Sequence, residues 1–168
     1  MKRVLIANRG EIALRILRAC RELGLETVAA YSQADSLALH LPLADETVCI
    51  GKHSYLDSSQ IISAAMIRNC DGVHPGYGFL SESSDFALQA EEAGLCFIGP
   101  AAAHIELMGD KAKARAAMTE KGIPVLPGSN GEVTRLDEAC DCAERIGFPV
   151  MVKASHGGGG RGIQIVDD

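Results

Sequence analysis

Lys153 and Arg161 flank four consecutive glycines, Gly157, Gly158, Gly159 and Gly160, in the stretch Lys153-Ala154-Ser155-His156-Gly157-Gly158-Gly159-Gly160-Arg161-Gly162. Bare backbone amides between two cations suit a polyphosphate, because the amides can approach closely while the cations neutralise charge. Without a ligand the run would be unfavourable, since glycine packs nothing and loses the most backbone entropy on ordering. Gly157, Gly159 and Gly162 satisfy G-x-G-x-x-G, but the dinucleotide fingerprint needs those glycines to open a helix within a βαβ unit. Here Ile163-Gln164-Ile165-Val166 follows, a short β-branched run that reads as a strand. A P-loop needs Gly-Lys-Ser/Thr at the end of the run, and Arg161-Gly162-Ile163 does not supply it. What remains is strand, glycine loop, strand: a cover over phosphates. A surface hairpin with no ligand is the plain alternative.

Two further polar loops carry candidate groups, Asn8-Arg9-Gly10-Glu11 and His74-Pro75-Gly76-Tyr77-Gly78-Phe79. In the first, Asn8 and Glu11 can cap a following helix, which would make the loop structural. In the second, glycines on both sides pin Tyr77 on a tight turn, where its ring is a contact for something planar. His74 reads as a strand-end histidine with its bonds satisfied rather than as a base.

These loops need elements to position them. Apolar runs at 3–7, 26–31, 47–50, 71–74 and 95–98 read as strands. Helical spacing covers 11–23, with Gly24 at its end, and then 58–69 and 84–93. Such β-α alternation with short connections means an α/β domain, a parallel sheet with helices on both faces. In such a sheet ligands gather at the carboxyl ends of the strands, where both polar loops fall. Gly99-Pro100 ends the pattern. We therefore read residues 1–100 as one domain, 101–124 as a helical connector, and 125–168 as the start of another domain that includes the glycine loop. A helix at 135–146 precedes the closing hairpin.

Composition narrows the classes. Of the 168 residues 47% are hydrophobic and only 4% aromatic, which suits an aliphatic α/β core. A net charge of −6 argues against a nucleic-acid partner, which would need a basic patch. No apolar stretch approaches the roughly 18 residues of a membrane span, and Met1-Lys2-Arg3 leads into a strand-length run rather than a secretory leader. The six cysteines, Cys20, Cys49, Cys70, Cys96, Cys140 and Cys142, lack zinc spacing and read as reduced core residues of a cytoplasmic protein.

The segments Ala7-Asn8-Arg9-Gly10-Glu11-Ile12-Ala13, His74 to Glu82, Phe97-Ile98-Gly99-Pro100, Met108-Gly109-Asp110-Lys111 and Lys153-Ala154-Ser155 with its glycine loop resemble biotin carboxylase, in order and over the whole chain. The resemblance implies the ATP-grasp superfamily: a Rossmann-like domain, then a glycine-loop lid, then a catalytic half beyond residue 168. It implies that Lys111 and Lys153 contact ATP, with Gly157 to Gly160 closing over its phosphates. It implies that Tyr77, Gly78 and Glu82 lie near the biotin pocket, and that Arg18 and Glu22 belong to a homodimer interface. An i,i+4 ion pair on the helix surface would give Arg18 and Glu22 the same spacing. His156 and Ile163 depart from the residues usual in the family, a small residue and Met, without touching the backbone contacts.

The implied reaction is ATP-dependent: bicarbonate is phosphorylated to carboxyphosphate, and biotin on its carrier protein is carboxylated. Mg²⁺, the bicarbonate-binding groups and the base are expected beyond residue 168, so the chain alone is expected to be inactive. Implied partners are the biotin carboxyl carrier protein and carboxyltransferase subunits, within acetyl-CoA carboxylase of fatty acid synthesis or a related pyruvate or acyl-CoA enzyme. Other ATP-grasp ligases, carbamoyl-phosphate or purine-pathway enzymes, share the lysine–glycine logic but lack the His-Pro-Gly-Tyr-Gly-Phe loop. A non-catalytic nucleotide-binding or interaction remnant is the third reading.

Overall fold

Val4, Leu5 and Ile6 are all fully buried, and this continuous apolar run is the signature of a strand covered on both faces. It forms β1 (Arg3–Ile6) at the centre of a five-stranded sheet. The other strands are β2 (Glu26–Tyr31), β3 (Glu46–Cys49), β4 (Gly72–His74) and β5 (Cys96–Phe97), in the order β3-β2-β1-β4-β5, and every pairing is parallel. The computed structural model describes residues 1–52, 55–129, 131–154 and 162–168. The chain folds as two compact units, Met1–Glu106 and Leu107–Asp168.

Alternation along β1 divides the core of the first unit. Val4 and Ile6 pack with Ala13, Ile16, Leu17 and Cys20 of α1 (Gly10–Glu22), whose i, i+3, i+4, i+7 spacing makes one apolar stripe. Leu5 and Ala7 point to the opposite face. There they meet Ile61, Ala64 and Ala65 of α2 (Ser58–Ile67), Phe86, Ala87 and Ala90 of α3 (Ser84–Glu92), and Ile105 of α4 (Ala102–Gly109). Helices therefore cover both faces, as the alternation predicts. Gly24, at φ +67°, follows α1 in a Schellman arrangement: its N–H donates to Arg21 O at 3.1 Å and that of Leu25 to Cys20 O at 2.9 Å.

Two expectations are corrected by the fold. β3 starts at Glu46 rather than Thr47, because Glu46 is in register with Val28 of β2. The cysteines are all free but are not all core residues: Cys20, Cys70 and Cys142 are buried, whereas Cys49, Cys96 and Cys140 are exposed. Cys49 and Cys96 sit on the two edge strands, and Cys140 on the outer side of a helix. Burial pushes the Cys70 thiol up to about 11, which keeps it protonated at neutral pH.

The second unit contains α5 (Lys111–Glu120), α6 (Leu136–Ile146) and an antiparallel pair, β6 (Val150–Lys153) with β7 (Ile163–Val166). Asp110 caps α5, accepting from the N–H groups of Ala112 at 2.9 Å and Lys113 at 3.0 Å. The hairpin is thinly covered: Met151, Val152, Ile163 and Ile165 are between 44% and 61% exposed. Among the described residues no helix is long and apolar enough to cross a membrane.

Candidate functional site

The strand order reverses at β1, which pairs with β2 on one side and β4 on the other. Connections leave these strands in opposite directions there, so a crevice opens at their carboxyl ends. Residues 8–12 and 75–79 meet in that place. Asn8 is fully buried, and its side-chain amide ties the two loops together. Nδ2 donates to Pro75 O at 2.7 Å and to Tyr77 O at 3.0 Å, and Oδ1 accepts from Arg9 N at 2.8 Å. The expectation that Asn8 and Glu11 cap α1 is overturned: the N-cap residue is Arg9, with no side-chain cap bond. Asn8 is already committed across the sheet.

The turn that Asn8 holds is tight. Gly76 has φ +70°, and a Cβ there would lie 2.5 Å from Ile12 Cγ2 and 2.8 Å from Asn8 Nδ2. Phe79 takes φ +45°, unusual for a bulky residue. Its ring stacks on Tyr55 at 5.1 Å between centroids, and the Arg9 guanidinium lies 5.9 Å over its face. Tyr55 Oη donates to Asp35 at 2.9 Å, and Asp35 pairs with Arg9 at 3.4 Å. Arg9, Asp35, Tyr55 and Phe79 thus close a ring of contacts. Burial works against the Asp35 charge, but hydrogen bonds from Tyr55 and Ser32 and the Arg9 charge outweigh it and hold the carboxyl below its usual range. A hollow of about 450 Å³ opens beside the ring, lined by Arg9, Glu11, Asp35 and Phe79 among others.

Tyr77 is 65% exposed, and Gly78 and Glu82 are exposed beside it, so the structure presents all three on one turn and the short 3-10 segment Phe79–Glu82. His74 is half-buried at the end of β4. Burial lowers its pKa, and Nδ1 accepts from Gly76 N at 3.0 Å. Arg18 and Glu22 are exposed on α1, and among the described ion pairs none joins them.

In the second unit, Lys111 stands at the start of α5 and its Nζ reaches within 3.5 Å of the Ala154 carbonyl oxygen. That brings it to the residue next to Lys153, exposed at the end of β6. Two lysines far apart in sequence are thus carried to the same end of one hairpin. Gly157 to Gly160 lie outside the described residues. Sequence reasoning missed Asp35 and Tyr55. Asp35 follows the end of β2, where a polar residue has a positional meaning, but nothing in the spacing ties it to Tyr55.

Comparison with known proteins sets the class first. Residues 110–168 match the family described as carbamoyl-phosphate synthase L chain, ATP binding domain, which places the chain among the ATP-grasp proteins. Residues 1–105 match the family described as biotin carboxylase, N-terminal domain, and the chain belongs to the biotin carboxylase family. It is 53% identical to biotin carboxylase 1 of Bacillus subtilis over 98% of its length. A biotin carboxylase from Campylobacter jejuni, solved as a β,γ-ATP complex, superposes at a TM-score of 0.96 with 47% identity over 99% of this chain and 38% of its own. The biotin carboxylase domain dimer of Hydrogenobacter thermophilus 2-oxoglutarate carboxylase, solved with MgADP, ADP and bicarbonate, superposes at 0.93, again with 47% identity, 99% and 38% coverage. The chain spans 38% of the length of the Bacillus relative.

Proposed function

We propose that this chain is the N-terminal part of an ATP-dependent biotin carboxylase, which forms carboxyphosphate from ATP and bicarbonate and then carboxylates biotin on a carrier protein. The observation that carries the reading is a match at 53% identity running through both units. In it residues 1–100 form the Rossmann-like domain, 101–124 the connector, and 125–168 the start of the lid domain. Lys111 and Lys153 bind ATP phosphates, with Lys153 and the Gly157–Gly160 amides stabilising charge as it develops on the transferred phosphoryl group. The exposed Tyr77 ring, with Gly78 and Glu82, forms part of the biotin pocket, since the planar ureido ring of biotin suits an aromatic fixed on a rigid turn. Arg18 and Glu22 contribute to a homodimer interface. The carrier protein and a carboxyltransferase subunit are the partners, the cytoplasm is the compartment, and the carboxyl group passes to acetyl-CoA, in fatty acid synthesis, or to the acceptor of a related pyruvate or acyl-CoA enzyme.

Mg²⁺ accompanies ATP in this chemistry and supplies charge neutralisation on its phosphates. Its ligands are expected beyond residue 168; among the described residues no group of three His, Cys, Asp or Glu that could hold a metal occurs, and no step is assigned through it. Biotin-dependent and bicarbonate-dependent ADP release, measured on the full-length protein carrying this sequence and on the 168-residue chain, tests the reading. The full-length protein is expected to respond to both substrates and the chain to neither. A full-length protein indifferent to biotin would overturn it.

A further inference from the structure

Asn8 commits its side-chain amide to backbone, and both of its donors end on the turn that carries Tyr77. A fully buried amide bonded in this way has little freedom, because releasing either carbonyl would strand a buried polar group. Gly76 lies between the two accepting carbonyls and is packed against Ile12 and Asn8 itself. On the far side, Phe79 is held by the Tyr55 stack and the Arg9 guanidinium. Tyr77 and Gly78 are therefore fixed on both flanks while both remain open to solvent.

The turn is also strained at one residue: Phe79 takes φ +45°, whereas Gly76 and Gly78 reach φ +70° with no Cβ penalty. Strain of this kind persists only where surrounding structure over-determines it, and it gathers where a ligand must be met in a set geometry. We propose that Asn8 is a positioning residue for the biotin-facing turn: by holding the Tyr77 carbonyl it fixes the Tyr77 ring and the Gly78 backbone against the bicyclic ring of the substrate. The inference rests on the proposed reading of Tyr77 and Gly78 as part of the biotin pocket. Its value to the enzyme is preorganisation, since a turn already in its bound shape loses no further freedom when biotin arrives.

The test uses the full-length enzyme carrying this sequence, with free biotin as acceptor. Asn8→Asp keeps the side-chain shape but turns oxygens toward the two carbonyls. The Michaelis constant for biotin is expected to rise roughly tenfold or more while that for ATP stays within about twofold. A merely structural role would lower kcat through loss of active protein and leave both constants unchanged, and that result overturns the proposal. Tyr77→Ala, measured alongside, separates the positioning role from the pocket itself. If it raises the biotin constant and Asn8→Asp does not, the pocket stands and the positioning role falls. If Tyr77→Ala leaves the constant unchanged, the pocket reading falls and takes the inference with it. Should Asn8→Asp fail to fold, Tyr55→Phe removes the hydroxyl bond to Asp35 and loosens the other flank. It is expected to raise the biotin constant by a smaller factor with ATP unaffected, and no change would overturn the proposal.

Discussion

Substituting Gly76 by Ala tests the crowding around Asn8 directly. Two costs add. Holding an L-residue at φ +70° costs about 1–2 kcal/mol. The new Cβ would also lie 2.5 Å from Ile12 Cγ2 and 2.8 Å from Asn8 Nδ2, and forcing a methyl into such packing costs roughly 1–3 kcal/mol. Neither neighbour can step aside. Ile12 packs against the α1 face of the core and Asn8 is bonded three times. The sum is about 3 kcal/mol, a large share of the roughly 5–15 kcal/mol of a whole domain. In urea unfolding followed by far-ultraviolet circular dichroism, a slope near 2 kcal/mol per molar would move the midpoint down by roughly 1.5 M. Gly10→Ala is the control, because Gly10 has φ +60° but nothing lies within 4 Å of where its methyl would sit. It should lose only the backbone term. Ile12→Ala in the Gly76→Ala background removes the nearer obstacle and should recover part of the difference. If Gly76→Ala costs no more than Gly10→Ala, the crowding argument is wrong.

Lys153→Ala in the full-length enzyme is expected to lose about 2 kcal/mol of transition-state stabilisation, near thirtyfold in kcat/KM for ATP; an unchanged value would refute a phosphate role. Burial holds the pKa values of His40 and His74 below their ordinary 6.5 in the folded chain, so the unfolded chain binds protons first as pH falls. Stability should be full above pH 6.5 and decline as pH drops through 6.5 toward the folded values, read as a falling Tm between about pH 7.5 and 5.5. His40→Gln should flatten that decline, since its buried Nε2 has no hydrogen-bond partner among the described residues, and a flat wild-type profile would contradict the argument. Hydrogen exchange should find the amides of Met151 to Lys153 and Gln164 to Val166 less protected than those of Leu5 and Ile6. A two-stranded hairpin is marginal in water, and the exposed side chains of this one add little cover. Equal protection would show that it is stable in its own right.

The sheet was legible because its physics is local. Val4-Leu5-Ile6 and Val28-Ala29-Ala30 are apolar at every position, as doubly covered parallel strands must be, and Gly24 marks a helix end by a left-handed conformation that other residues avoid. The expectation that Lys153 meets a phosphate came from the same kind of local signal, charge beside glycine, whereas Lys111 entered only through the family resemblance. Asn8 was ambiguous because an asparagine before a helix has a common local use, and only the approach of residues 75–77 across the sheet decides between cap and tie. Asp35 and Tyr55 were silent. Their hydrogen bond depends on how the connections after β2 and β3 fold back, which no periodicity records. The exposed Cys49 and Cys96 misled because a cysteine flanked by apolar residues looks buried until the sheet edges are known.

The position of β1 has a consequence for how the chain assembles. The first strand in sequence is the middle strand in space, with Val4 aligned to Thr27 on one side and Gly72 on the other. During synthesis its apolar residues emerge before those of the other four strands but cannot be enclosed until β4 has been made. The β1–β4 ladder closes a long loop, and such non-local pairing slows folding. Until then one backbone edge of β1 stays open, the kind of surface that draws nascent chains into aggregates. A fully buried strand of the finished fold is therefore a vulnerable one at birth, and a holdase that covers residues 4–7 would act while its edge is still open.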